Sequence, residues 1–168
     1  MSSALTLTSE ARVVTTTHND DGTSVFQSDK MLKPYSPFGP DRSSFVLFDV
    51  KSSVPVSNQE APQKLGSVLP RCPPAGVNFC ITQFAPRSSA PMHRTLSLDY
   101  AVVLSGEIVL ALDSGEEKTV KAGEFIVQGG VNHAWHNRTD EVCRVAVVMV
   151  GAEKVKLSNG QELEATVL

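Results

Sequence analysis

Two short segments of this 168-residue chain concentrate the side chains able to bind a metal or move a proton. They are Pro91-Met-His-Arg-Thr-Leu-Ser-Leu-Asp-Tyr100 and His133-Ala-Trp-His-Asn137. Alternate side chains of an extended chain share a face. His93, Thr95 and Asp99 are therefore expected on one wall, and His133, Trp135 and Asn137 on another. His136 points the other way and is the weaker ligand candidate. Two neutral imidazoles and one carboxylate form a donor set that suits Fe(II), Mn(II) or Zn(II) and leaves coordination positions open. With a divalent ion the set carries about +1, a field that favours a carboxylate or enolate ligand.

Other residues could complete such a site. Thr95 or Gln83 could move a proton, with Gln83 expected beside Phe79 and Ile81 on the interior face, as a pocket group or a strand-end residue. Trp135 could stack on a planar substrate, although an aromatic residue in a small β-fold is more often core. Arg94 could clamp a carboxylate, although such an arginine is more often a solvated charge.

The elements that must hold these residues are strands. Arg12–Thr17 and Ser24–Gln27 flank Asn19-Asp-Asp-Gly22 and predict a hairpin. Ser44–Val50, Val77–Phe84, Tyr100–Leu104, Glu107–Leu112, Phe125–Gln128 and Val142–Val150 read as strands, with Gly106, Ser114-Gly115 and Gly123 at the corners. Lys154–Ser158 and Gln161–Val167 flank Asn159-Gly160, a second hairpin signal. No apolar pattern of helical period persists for three turns. The fold class is all-β, a barrel or sandwich with little helix.

Length supports one domain over 1–168: N-terminal strands and Pro-rich loops to 74, a motif-bearing core over 75–150, and a C-terminal hairpin over 151–168. Hydrophobic residues make up 41% and charged residues 20%, the profile of a globular protein. A net charge of -3 without a Lys/Arg cluster argues against nucleic acid and leaves a small molecule as the partner. Met1–Glu10 has no basic segment leading into an apolar run, and no stretch reaches about 18 apolar residues, so no membrane is implied and a cytosolic location is expected. Cys72, Cys80 and Cys143 form no CxxC pair; Cys80 and Cys143 read as reduced core residues and Cys72 as a loop residue. There is no Gly-x-Ser-x-Gly elbow, and Gly129-Gly130 lacks the context of a phosphate loop.

At His93, Asp99 and Gly106 the chain resembles the cupins, whose first motif runs G-x5-H-x-H-x3-4-E-x6-G. Asp99 stands for Glu, Thr95 for the second His and Arg87 for the first Gly. Gly123, Gly130, His133 and Asn137 correspond to the second motif, G-x5-P-x-G-x2-H-x3-N, with Gln128 in place of Pro and one residue fewer after Gly123. The resemblance is close over about 77–150, and the run from His93 to Glu107 with Asn132–Asn137 is similar to small microbial single-cupin proteins, several encoded beside polyketide-type pathways. It implies a jelly-roll barrel with extra N-terminal strands and an inward-facing divalent ion (Fe, Mn, Ni or Zn) on His93, Asp99 and His133. Thr95 would supply a weak contact or leave room for water. The replacements at Thr95 and Asp99 leave a three-ligand centre and a vacated site as alternatives.

Three functions follow. The first is a metal-dependent lyase acting on a β-keto acid or hydroxy-ketone, with Trp135 walling the pocket against a polyketide-like ring. The second keeps the ligands and makes the reaction an Fe(II)-dependent oxygenation. The third is a metal-free binding module or cyclase, suggested by Thr95 and Asp99. The resemblance also implies a homodimer, with the N-terminal hairpin available to add to a partner's sheet edge.

Overall fold

Strands account for the regular structure in the described residues, 6–58, 60 and 67–166, of the computed structural model. In chain order they are β1 (Ala11–His18), β2 (Ser24–Leu32), β3 (Ser43–Lys51), β4 (Val77–Phe84), β5 (Ser89–His93), β6 (Ser97–Ser105), β7 (Glu107–Leu112), β8 (Glu117–Lys121), β9 (Phe125–Gly129), β10 (His133–His136) and β11 (Cys143–Gly151). Among the described residues no helix is long and apolar enough to cross a membrane.

A five-stranded antiparallel sheet runs β3-β4-β11-β6-β9, and a four-stranded one runs β5-β10-β7-β8. The period-two pattern turns one side of each sheet toward the other. Phe84, Val103, Ile108, Cys143 and Val145 fill the space between them. Burying each of the larger aliphatic side chains contributes about 1.5–3 kcal/mol. The turn from β6 to β7 needs glycine: Gly106 has φ +72°, and a Cβ there would come within 3.2 Å of Cys143 Cα.

The predicted N-terminal hairpin is β1–β2, a separate two-stranded sheet. Such a ribbon is marginal alone. It is held by a second apolar cluster in which Ala11 and Leu32 meet Val46, Phe48 and Ile81 on the outer side of β3 and β4.

Three sequence expectations need correction. Pro91–Tyr100 is not one strand. It breaks at Arg94-Thr95-Leu96, where the chain passes from β5 in one sheet to β6 in the other, so the parity linking His93 to Asp99 does not hold. β8 is an additional strand whose polar sequence hid it; as an edge beside β7 it buries only Val120. Near the C-terminus the Asn159-Gly160 turn forms, with Gly160 at φ +85°, but it carries a single bridge, Lys156 to Glu162, instead of two strands. Val167 lies outside the described residues.

Candidate functional site

The break at Arg94–Leu96 brings the two sheets together around a cavity of about 390 Å³. Its body is apolar, with Phe38, Phe45, Phe84, Val145, Val147 and Trp135 among its walls. Four of its polar side chains meet at one place, where β5 and β10 supply His93 and His133 while β6 and β9 supply Asp99 and Gln128.

His93 and His133 are register partners on antiparallel strands, and their ring centroids lie 4.3 Å apart. Each Nδ1 meets a carbonyl of its own segment: His93 to Pro91 O at 2.8 Å and His133 to Val131 O at 3.0 Å. A carbonyl only accepts, so both Nδ1 atoms carry the proton and both Nε2 atoms present lone pairs. Burial pushes the His133 pKa down to about 4 against the pull of the Val131 carbonyl, so the ring is neutral near pH 7.

Asp99 is buried, and burial pushes its carboxyl above the usual value against the opposing effects of Ser97, Gln128 and His93. The Ser97 hydroxyl lies 2.6 Å from Asp99 Oδ1 and 2.9 Å from Thr95 Oγ1. Its one proton serves the carboxylate, the shorter and charge-assisted contact, which leaves the Thr95 hydroxyl as the outer end of a short chain at the cavity wall. Gln128 Nε2 donates to Asp99 Oδ2 at 3.1 Å and lies 3.2 Å from His133 Nε2. Gln128 Oε1 is buried and has no hydrogen-bond partner among the described residues.

Trp135 is half-buried against Phe84, with centroids 5.9 Å apart, and edge-on to His133 at 5.8 Å. It forms a cavity wall.

Residues 80–151 match the Cupin_2 family, described as a cupin domain. "Phomopsin biosynthesis cluster protein C'" of Diaporthe leptostromiformis is 36% identical over 149 residues, covering 84% of this chain and 79% of the relative. The chain is a cupin. A shorter match, 50% identical over 56 residues, joins 33% of it to 29% of "Cupin-domain-containing oxidoreductase virC" of Hypocrea virens. The polyketide cyclase RemF from Streptomyces resistomycificus shares the fold, with a TM-score of 0.50 at 20% identity over 77% of this cupin and 83% of that chain.

In this cupin the structure puts Gln83 outside the cavity and leaves Arg94 at its wall, tied to backbone carbonyls. Gln83 is buried on the outer side of β4, and the two hydrogens of its Nε2 are shared among Leu7 O and Ser9 O at 3.3 Å and Ser44 Oγ at 3.2 Å. It fastens the N-terminal segment and moves no proton in the cavity. Arg94 stands at the cavity wall, but its Nε donates to Gly130 O at 3.0 Å and its Nη1 to Glu164 O at 3.4 Å. These two bonds clamp the C-terminal segment to Gly130 and leave Nη2 as the end of the guanidinium not used in them. His136 turns away to Ser89 Oγ at 2.8 Å. Gln128 and Ser97 were not expected at the site; the only signal was Gln128 at the motif's proline position.

Among the described residues no three His, Cys, Asp or Glu side chains close on one point at ligand spacing, and the Gln128 carboxamide lies between Asp99 and His133. The donor chemistry nonetheless fits a divalent cation. Two imidazoles have their Nδ1 protons pinned outward, a carboxylate lies at the same place, and a buried amide oxygen lacks a partner. His93, His133 and Asp99 are the residues that could hold it.

Proposed function

We propose that this cupin is a secondary-metabolism lyase that removes carbon dioxide or water from a small oxygenated, polyketide-like molecule, with a divalent ion on His93, His133 and Asp99. The observation that carries this reading is the meeting of His93, His133, Asp99 and Gln128 in a cavity whose other walls are largely apolar. The names of the relatives, a biosynthesis cluster protein and a cupin-domain oxidoreductase, support the metabolic setting. Three free thiols suit the reducing cytosol.

The ion would polarise a keto or enol oxygen at that meeting place. Trp135 and Phe84 receive the flat part of the substrate and exclude water. In decarboxylation the bond from the α-carbon to the carboxylate carbon breaks, carbon dioxide leaves, and its electron pair becomes the enolate. Thr95 then passes its hydroxyl proton to the α-carbon and takes one back from solvent water entering the cavity, while Ser97 stays bonded to Asp99.

Two other readings have specific support. Oxygen-dependent Fe(II) chemistry draws on the oxidoreductase name of the H. virens relative. A metal-free cyclase or binding role draws on the Gln128 amide already bridging Asp99 and His133. Metal-free protein and protein loaded with Mn(II), Fe(II), Ni(II) or Zn(II) should be offered β-keto acids and β-hydroxy ketones. Metal-dependent loss of carbon dioxide or water without oxygen uptake is expected. Oxygen uptake with Fe(II) would replace this reading with the oxygenase, and turnover undiminished without metal would replace it with the metal-free one.

The protein's partner is a second copy of itself. Across the outer side of the five-stranded sheet, register pairs Phe79 with Val148, Val148 with Tyr100 and Tyr100 with Val127, an unbroken apolar row. Val127, where the row ends, is 70% exposed and Phe125 beside it 78%, both on β9, an edge of the sheet. A continuous apolar row ending at a sheet edge is self-complementary under a two-fold axis. Light scattering should give the mass of a dimer, with Phe125→Lys shifting it to a monomer; a monomeric wild type would overturn the pairing.

A further inference from the structure

We infer that Gln128 is a cation-gating residue: in the metal-free protein its amide NH2 bridges Asp99 and His133, and on metal binding the side chain turns to offer Oε1 as a fourth ligand. This rests on the metal-binding reading above.

The two atoms facing Gln128 Nε2 are both acceptors. Asp99 Oδ2 lies at 3.1 Å. His133 Nε2 lies at 3.2 Å and carries a lone pair, because its Nδ1 proton is committed to Val131 O. Two acceptors aimed at one point repel unless something positive lies between them, and the NH2 group supplies that with one hydrogen for each. The opposite orientation would set a carbonyl oxygen against two lone pairs, so without a cation the amide has one stable direction.

A cation between the same groups reverses the preference. It repels the amide hydrogens and attracts the carbonyl oxygen. Gln128 can respond without repacking, since a half-turn of its terminal torsion exchanges nitrogen and oxygen at nearly the same positions. Its backbone is fixed meanwhile by pairing with Asp99 across β9 and β6. The turn employs Oε1, which has no partner among the described residues, and moves the NH2 group to the position Oε1 held, so the cation must outweigh the two contacts that Nε2 gives up.

The resulting donors are two imidazole nitrogens, a carboxylate oxygen and an amide oxygen. Such an evenly mixed set accepts Mn(II) and Fe(II) readily, whereas an added imidazole moves preference toward Ni(II) and Zn(II). Gln128 thereby sets which ion the cavity takes. The proline that the cupin motif carries at this position has no atom for either task.

The test titrates metal-free wild type, Gln128→Leu, Gln128→Glu and Gln128→His with Mn(II) or Zn(II) alone by calorimetry. The Gln128 side-chain amide signals are followed in 15N-labelled wild type as Zn(II) is added, and melting curves confirm that each variant is folded. One ion per wild-type chain is expected. Gln128→Leu should bind about 10–100-fold more weakly, Gln128→Glu should bind Mn(II) more tightly, and Gln128→His should favour Zn(II) over Mn(II). The wild-type amide signals should move on binding. Equal binding by wild type, Gln128→Leu and Gln128→Glu, with unmoved amide signals, would overturn the role of Gln128 and leave the metal reading standing. No ion bound by wild type would overturn both.

Discussion

His93 and His133 face each other from directly paired positions on β5 and β10, their rings 4.3 Å apart and inclined by 52°. Neighbouring strands lie about 4.8 Å apart, so the pairing itself delivers two imidazoles to one point. Each presents an Nε2 lone pair, whereas His136, on the same strand as His133, turns to Ser89. His93→Ala and His133→Ala should each abolish stoichiometric binding of Mn(II) or Zn(II) while the far-ultraviolet circular dichroism of the barrel persists. Retained stoichiometric binding in both would show that the ion sits elsewhere.

Asp99 separates binding from stability. Its carboxyl is raised by burial, so the folded protein holds that proton more firmly than the unfolded chain does. Stability from this group is complete below the unfolded pKa near 3.8 and is lost as pH rises through the folded value. Asp99→Asn keeps the shape without the charge. The metal-free variant should therefore unfold at higher denaturant than wild type near pH 8, the difference closing as pH falls toward 4, while cation affinity drops about 10–100-fold. A variant less stable than wild type at both pH values would contradict this account.

Much of this framework was legible before the structure. β4 and β7 match their predicted bounds because alternation and flanking turn residues agree, and the N-terminal hairpin forms where Asn19-Asp-Asp-Gly22 allows it. Strand parity, however, sorts side chains into two faces without saying which is inside. Gln83 was therefore placed toward the cavity when it lies beneath the N-terminal segment. The break after His93 contains neither Gly nor Pro, so nothing local announced that His93 and Asp99 would approach from opposite sheets. Gln128 stayed hidden for a different reason: its partners, Asp99 and His133, come from another strand and another sheet.

Asn137 shows the reverse case, a motif residue whose work is mechanical. The two hydrogens of its Nδ2 are shared among the carbonyls of Phe84, Ala85 and Glu141 at 3.1, 2.9 and 2.7 Å, and its Oδ1 accepts from Thr139 N and Oγ1 at 3.0 and 2.7 Å. Asn137→Ala leaves several of these buried groups unpaired and should cost about 3 kcal/mol, measured by urea unfolding. A loss below about 0.5 kcal/mol would mean that water replaces the amide.

The thiols should be quiet. Burial pushes Cys72 up to about 11 and Cys80 and Cys143 up to about 12. At pH 7.5 roughly one Cys72 thiol in several thousand is then ionised. Iodoacetamide should label native protein only slowly there, with Cys72 responding first as the pH is raised and all three reacting in urea. Rapid labelling of folded protein at pH 7.5 would contradict the burial of these groups.

The crossover at Arg94-Thr95-Leu96 makes the polar meeting place in the cavity a rivet hole drilled through both layers of the barrel. Whatever occupies it grips β5 and β10 on one side and β6 and β9 on the other, so parting the layers means releasing the occupant first. Occupancy and cohesion become one thermodynamic variable. By mass action, a ligand at a hundred times its dissociation constant would add about 2.7 kcal/mol of resistance to unfolding. The barrel is thus its own reporter: a molecule that fits the cavity announces itself through the temperature at which the layers come apart, before any product is known.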